Sequence, residues 1–503
     1  DINENGEIVV TLQENNHIVV IGADGVTAQF EAGSVALEGV DTKSDGRLFF
    51  TESTGPIPRE PDGVKWIDAD HFATANEGDW KGGSRSFTIF RKDGTVIYDS
   101  GASLERAIAE IGHYPEKRSK SKGVEIESVE FARYGDVPYL FVVSERASVV
   151  AVYDVSDLAA PELVQILPSG ISPEGAVAIP ARNLLVTANE ADLGEDGAAR
   201  AHVMIYELQD AAPAYPMLTS AGSDPLIGWG ALGALTFADG AIFAASDSVY
   251  SAMPSIYRID PGATPARIVA QTVVTRGGEP AEKLDIEGIA ADGTGGFWLA
   301  SEGNAEKDVP HAIIHVDATG EITQEIPFPE ALLAHQTRFG AEGIAKVGDT
   351  LWIAMQREWG DDPKGQVKLL AYDLVAGQWG GMRYPLEPKG EGWMGLSELA
   401  VHGDHAYLIE RDNLIGDKAR VKKIFRVALA DLTPAALDGD LPVVAKQEVR
   451  DLIPELRSVT NGYVVDKVEG LTFDAEGNAW VVTDNDGVDD SSGETLFWNL
   501  GKL

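Results

Sequence analysis

An acidic residue, a glycine and a short apolar run recur along this chain roughly every 50–70 residues, and a second acidic residue follows about fifteen positions later. Asp62-Gly63 is answered by Asn76-Glu77-Gly78, Glu127 by Ser144-Glu145-Arg146, and Glu174-Gly175 by Asn189-Glu190. Glu287-Gly288 leads to Ser301-Glu302-Gly303, Glu398 to Glu410-Arg411-Asp412, and Glu469-Gly470 to Asp484-Asn485-Asp486. Two further units keep the strands and vary the residues: Leu232-Gly233 with Ser246-Asp247, and Glu342-Gly343 with Gln356-Arg357-Glu358. A fixed period of this length marks a repeat architecture.

The repeating unit is made of strands. Runs such as Ile8-Val9-Val10-Thr11, Tyr139 to Val143 and Trp352 to Met355 are short, β-branched or aromatic, and bounded by Gly, Asp, Asn or Pro. In the unit that starts at Glu287, strands are expected over 286–291, 297–300, 312–316 and 322–326. Helix is expected only over 104–111 and, more briefly, 329–335. An all-β chain with this period predicts a β-propeller, one four-stranded blade per repeat. Units beginning at 62, 127, 174, 232, 287, 342 and 398 make seven. An eighth start at 469 and the strands within 7–33 are expected to close the ring, so a single propeller domain of seven or eight blades over 1–503 is predicted. No linker or low-complexity stretch divides it.

Composition narrows the partners. Lys and Arg total 40 against 80 Asp and Glu, a formal net charge of −40, which disfavours nucleic acid and anionic membranes and favours cations. With no cysteine, disulfides, thiolate-bound zinc and cysteine nucleophiles are excluded. No apolar run approaches the length of a membrane-crossing helix. The chain opens at Asp1-Ile2-Asn3, which predicts a processed product and export. A Gly-x-Ser-x-Gly elbow, a Walker loop and a dinucleotide fingerprint are all absent. The string from Asp484 to Asp490 resembles a calcium loop but lacks the spacing of an EF-hand, and is read as a propeller loop.

In a propeller, the start of strand one and the end of strand two lie at the same end of a blade. Glu127, Glu174, Glu287, Glu342, Glu398 and Glu469 are therefore expected as an inner ring around one channel mouth. Glu77, Glu145, Glu190, Glu302, Glu410 and Asp484 should stand outside it. Crowded carboxylates raise one another's pKa values unless cations neutralise them. All-oxygen donors select hard ions, so Ca²⁺ or Mn²⁺, with Mg²⁺ as a further candidate, is expected on Glu127, Glu174, Glu287, Glu342, Glu398, Glu469 and Asp484. Nine histidines without a ligand pair argue against zinc. The competing reading is architectural: Glu-Gly at a strand start is also plain turn chemistry. Among the scarce cations, Arg118, Lys120 and Lys122 precede Glu127, His335 and Arg338 precede Glu342, and Lys467 precedes Glu469. Arg146, Arg357 and Arg411 adjoin strand ends, Arg146 as an ion-pair partner. Arginine beside a metal suits a phosphoryl group.

Two stretches resemble known families. From Val10 to Asp192, within a 1–192 part, the chain is similar to the choice-of-anchor I domain. The match rests on Leu12 to Asn16, Pro61-Asp62, Thr74 to Asp79, Arg85-Ser86-Phe87, Ser144-Glu145-Arg146, Tyr153-Asp154-Val155 and Ser172 to Gly175. From Asp285 to the end (285–503) it resembles the phytase-like esterase family, through Phe339 to Gly343, Met355-Gln356-Arg357, Leu396-Ser397-Glu398, Leu408 to Asn413, Lys467 to Gly470 and Thr483 to Asp486. The resemblance implies exported bacterial β-propellers, periplasmic or secreted, some with metal-dependent phosphatase or phosphotriesterase activity. The expectation is a monomeric metal-dependent phosphoesterase acting on a small-molecule phosphate ester, with His335, Arg338, Arg411 and Lys467 as catalytic groups. A non-catalytic calcium-binding propeller, and a metal-dependent lactonase or esterase, are the alternatives.

Overall fold

The computed structural model describes residues 1–488, 491 and 493–503. Asp489 and Asp490, the end of the calcium-loop-like string, lie outside the described residues. The chain divides into two compact units, one of residues 1–230 with 486–494 and one of residues 231–485 with 495–503. Among the described residues, nine sheets have three or more strands: each of the eight repeat starts in the sequence corresponds to one of them, and the strands within 7–33 form the ninth. Their first strands are β1 (Ile8–Leu12), β2 (Val64–Trp66), β3 (Ile126–Tyr134), β4 (Pro173–Ile179), β5 (Leu232–Ala238), β6 (Ile286–Ala291), β7 (Ala341–Val347), β8 (Met394–His402) and β9 (Val468–Phe473).

Each sheet is an antiparallel meander, the connection that short Gly- and Asp-rich turns allow. The β6 sheet continues through Phe297–Ser301, Ala312–Val316 and Ile322–Pro327, within a residue of the expected limits. Apart from short 3₁₀ turns, helix is confined among the described residues to α1 (Ser103–Glu110), Glu330–Leu333 and Ile453–Val459. The last of these, opened by Pro454 in its first turn, was not expected from the sequence.

The first unit sets β1 to β4 in series, each against the next. In the second unit the series closes: β5 packs on β6, β6 on β7, β7 on β8, β8 on β9, and β9 back on β5. That is the topology of a five-bladed propeller, and a cavity of about 250 Å³ runs along its axis, lined by residues of all five first strands from Leu235 to Phe473. The sequence expectation is one ring of seven or eight blades; in the second unit five sheets close on one another, and the first unit sets four in series. Equal repeats reveal how many sheets there are, but where a ring shuts is set by contacts between strands remote in sequence.

The glycines of the repeat explain why these strands pack so tightly. A Cβ on Gly288 would lie 2.2 Å from the carbonyl oxygen of Glu342 in the next strand, and one on Gly343 would lie 2.1 Å from the amide nitrogen of Leu399. The position after the acid is where neighbouring backbones touch. The acid itself sits at a break in pairing. β-Bulges fall at Glu127, Glu174, Gly233, Glu287, Glu342-Gly343, Ser397 and Glu469, and a bulge re-aims the residue it carries.

Replacing Gly288 or Gly343 by alanine is expected to lower stability by about 1–3 kcal/mol or more, since rigid backbone must give way. Gly175, with nothing within 4 Å of a built Cβ, is the control and should tolerate alanine. Urea unfolding midpoints of the three variants check this.

Candidate functional site

The bulges of β6, β7 and β9 turn Glu287, Glu342 and Glu469 toward the centre of the five-sheet ring. Glu342 and Glu469 are buried, 2% and 4% exposed, and Glu287 is half-buried. The matching position of β5 is Gly233, and its missing side chain is what leaves room. A Cβ there would lie 3.0 Å from Oε2 of Glu287 and 3.9 Å from Oε2 of Glu469. Two carboxylates from different sheets thus lean over one glycine. Burial, then Glu342, Asp285 and Glu469, raises Glu287 well above the usual carboxyl range. Glu342 is raised in the same way by burial, Glu302 and Glu469.

Around this core stand Asp247, Asp285, Glu302 and Asp484, all buried. Asp247 accepts a 2.7 Å bond from the Val249 amide, and burial followed by Asp484 raises its pKa strongly. Glu302 accepts from the Gly340 amide at 2.6 Å, and burial with Asp285 pushes it up to about 7. Two cations answer these acids directly. Arg411, 1% exposed, bonds Glu469, Asp466 at 3.1 Å and the Ser397 hydroxyl at 2.7 Å. Burial works against its charge, but Glu469 and Asp466 outweigh it and hold its pKa up. Lys467 reaches Asp484 at 2.8 Å.

A third cation is presented differently. Arg357 ends the second strand of the β7 sheet with its guanidinium carbon 3.6 Å from the Phe339 ring centre and 3.7 Å from that of Trp393. Its Nε is buried without a hydrogen-bond partner. Burial and the nearby Arg411 lower its pKa to about 10. It lines a cleft of about 750 Å³ with Phe339, Lys364, Lys389 and Trp393. A planar cation held between two rings, one edge unsatisfied, fits phosphate or carboxylate oxygens.

The structure separates the remaining expected site residues. Glu398 is 1% exposed and takes amide hydrogens from Leu399 at 2.9 Å, Leu235 at 3.1 Å and Leu471 at 3.4 Å. Because the bulge of β8 falls on Ser397, the glutamate one residue later ties β8 to β5 and β9. Its place is architectural. Glu410 is likewise taken up, by Lys446 at 2.6 Å and the Tyr384 hydroxyl at 3.0 Å. His335 is exposed, and its carbonyl accepts from the Gly360 amide. Arg338, also exposed, lines a separate cleft of about 270 Å³ with Lys283, Asp285 and Lys307.

Glu127 and Glu174 belong to the first unit, with other companions. Oxygens of Asp62, Glu77 and Glu127 lie within 4.8 Å of one another, as do those of Glu145, Glu174 and Glu190. Burial, then Glu77, Glu174, Glu145 and Asp62, raises Glu127 to about 9. Arg118 bonds Glu125 at 2.6 Å, Lys122 bonds Glu77, and Arg146 pairs with Glu145 at 2.9 Å, so those cations serve as ion-pair partners. Arg357 and Glu302 carried only a weak sequence signal, their place directly after the second strands.

Against this geometry, the sequence matches the family described as esterase-like activity of phytase over residues 227–487, more than half of the chain. The chain belongs to this phytase-like family, and the matched stretch spans the five-sheet ring nearly end to end. A choice-of-anchor I domain is matched over residues 80–158. No curated protein matches. Solved structures with similarity include apo AztD from Citrobacter koseri, at 11% identity over 88% of this chain and 98% of that one, TM-score 0.25. PorZ from Porphyromonas gingivalis shares 11% identity over 99% of this chain and 74% of its own, TM-score 0.28. A Lactobacillus plantarum protein shares 12% over 70% and 85%, TM-score 0.28. At such TM-scores these likenesses bear on neither fold nor function.

The raised carboxyls make stability depend on pH. Glu302 and Glu145 at about 7 and Glu127 at about 9 bind protons in the folded state that an unfolded glutamate, near 4.5, has released. Their stabilisation is complete below 4.5 and is lost as pH rises through 7 to 9. The melting temperature of chelator-treated protein should therefore fall between pH 5 and pH 9, and saturating Ca²⁺ should flatten the slope. A rise over that interval would contradict the assignment.

Proposed function

We propose that the protein is a metal-dependent hydrolase of phosphate esters, working at the centre of its five-sheet ring. The observation that carries this is the cradle of two carboxylates, Glu287 and Glu469, that lean over Gly233 with the buried Glu342 near them, an all-oxygen donor set opened by a missing Cβ. Glu287 and Glu469 would hold a hard divalent cation, Ca²⁺ or Mn²⁺, with Glu342 drawing in to complete its shell, and the family match supports a hydrolytic role. Such an ion supplies Lewis acidity and positive charge for a phosphoryl oxygen.

The chain's own residues do the rest. Arg357 is pre-oriented by Phe339 and Trp393, binds the phosphoryl group from the cleft side and offsets its charge. Arg411 is too fully engaged to bind substrate; it is a positioning residue that fixes Glu469. Glu302, near 7, can hold or release a proton at neutral pH, so it replaces the exposed His335 as the acid–base group. Lys467, neutralising Asp484, limits repulsion beside the cradle. Similarity to the choice-of-anchor I domain supports a location outside the cytoplasm.

The test is a panel of mono-, di- and triester substrates with metal-loaded protein, run with and without chelator, beside elemental analysis. Glu342→Gln and Arg357→Ala should each lower kcat/KM by about 10²–10³, the usual size of one electrostatic contact to the reacting group, with little change in melting temperature. Glu398→Gln should instead mainly lower stability. Absence of turnover on every ester would sink the proposal.

A further inference from the structure

The first unit contains a cluster that the ring chemistry does not use. Asp62 precedes β2, with its amide bonded to the Ala75 carbonyl at 2.9 Å and its carbonyl accepting from the Thr11 hydroxyl at 2.7 Å. Glu77 follows the second strand of that sheet, His71–Ala75, and Glu127 sits on the bulge of the neighbouring β3. Three elements thereby deliver one carboxylate each, with ligand oxygens within 4.8 Å of one another.

Their partners are unequal. Glu77 receives Lys122 and the Gln13 amide. The Asp62 and Glu127 carboxylates receive no hydrogen-bond donor and no ion pair among the described residues. Glu127 is only 9% exposed and faces its fellow acids. A carboxylate so buried is normally paired, and one left unpaired costs several kcal/mol in order of magnitude. One lysine against three carboxylates leaves the group short of positive charge. Three oxygens bound to one ion at about 2.4 Å cannot be more than about 4.8 Å apart, and these satisfy that limit. Asp62 and Glu77 are half-buried and keep part of their surface in solvent, so water can complete the six to eight oxygens typical of Ca²⁺.

The neighbouring triad of Glu145, Glu174 and Glu190 differs. Arg146 pairs with Glu145 at 2.9 Å and Glu190 is exposed to solvent, so this triad has a cation and water to offset its charge.

We propose that the first unit binds a divalent cation of its own, Ca²⁺ by preference, on Asp62, Glu77 and Glu127. The site is independent of the phosphoesterase reading, because it draws on none of the ring's residues. Chelator-stripped full-length protein is titrated with CaCl₂ by calorimetry, with bound calcium counted by elemental analysis after dialysis. Glu127→Gln should bind one Ca²⁺ fewer than the parent. In chelator it should melt at or above the parent's temperature, because an uncharged amide suits the crowded acidic site at least as well as a carboxyl group, and it should lose part of the Ca²⁺-induced rise. Glu342→Gln should retain the Ca²⁺ that Glu127→Gln lacks, which separates this site from the ring's. Unchanged calcium stoichiometry in Glu127→Gln, or a parent that binds no Ca²⁺ at millimolar concentration, would overturn the proposal. A large loss of stability of Glu127→Gln in chelator would overturn it too, since Glu127 would then be a structural residue.

Discussion

Backbone-to-backbone proximity between first strands governs the second unit. Gly288 against Glu342 and Gly343 against Leu399 leave no space for a single methyl group, and Gly470 nestles against β5 in the same manner. With the strands this near, a regular ladder would direct the preceding acids into the neighbouring sheet. The bulges resolve the conflict by turning those side chains inward, at the cost of a local break in pairing. Glycine and acid are one device: the first lets the ring close, and the second is what closure gathers.

Gathering the acids creates an electrostatic problem that the surroundings answer in three ways. Glu398 is quenched by three amide hydrogens from three strands, and becomes a tie between them. Glu469 is matched by Arg411, itself anchored on Asp466 and Ser397. Glu342 takes the side-chain amide of Gln356, and beside Glu287 Gly233 withholds a side chain. The carboxylates thus grade from fully satisfied to under-satisfied within one ring and one motif.

Much of this was legible beforehand. The eight repeat starts locate eight of the nine sheets, the ninth being formed by the strands within 7–33, and the strand limits of the Ile286 unit and the helix near Ser103 follow from turn residues and alternation. Ring size was not legible, because β9 meets β5 across more than two hundred residues of sequence and nothing local encodes that contact. Nor could the motif tell Glu398 from Glu342: a one-residue shift of a bulge decides which is tied down. His335 reads in the sequence as a histidine near an acid, yet it lies exposed, while burial lifts the pKa of Glu302 to about 7, which no local pattern encodes. Arg357 gains its importance from two aromatic rings, one eighteen residues before it and the other thirty-six after.

Repeat proteins ordinarily gain and lose units with little penalty, since each copy mostly sees its neighbours. A closed circle of five forfeits that freedom. Duplicating one sheet would widen the bore, carry Glu287 and Glu469 away from their shared perch over Gly233, and dissolve the cradle while every individual sheet stayed intact. Selection on chemistry would therefore freeze the copy number of the ring, whereas the serial sheets of the first unit face no such restraint on growing longer.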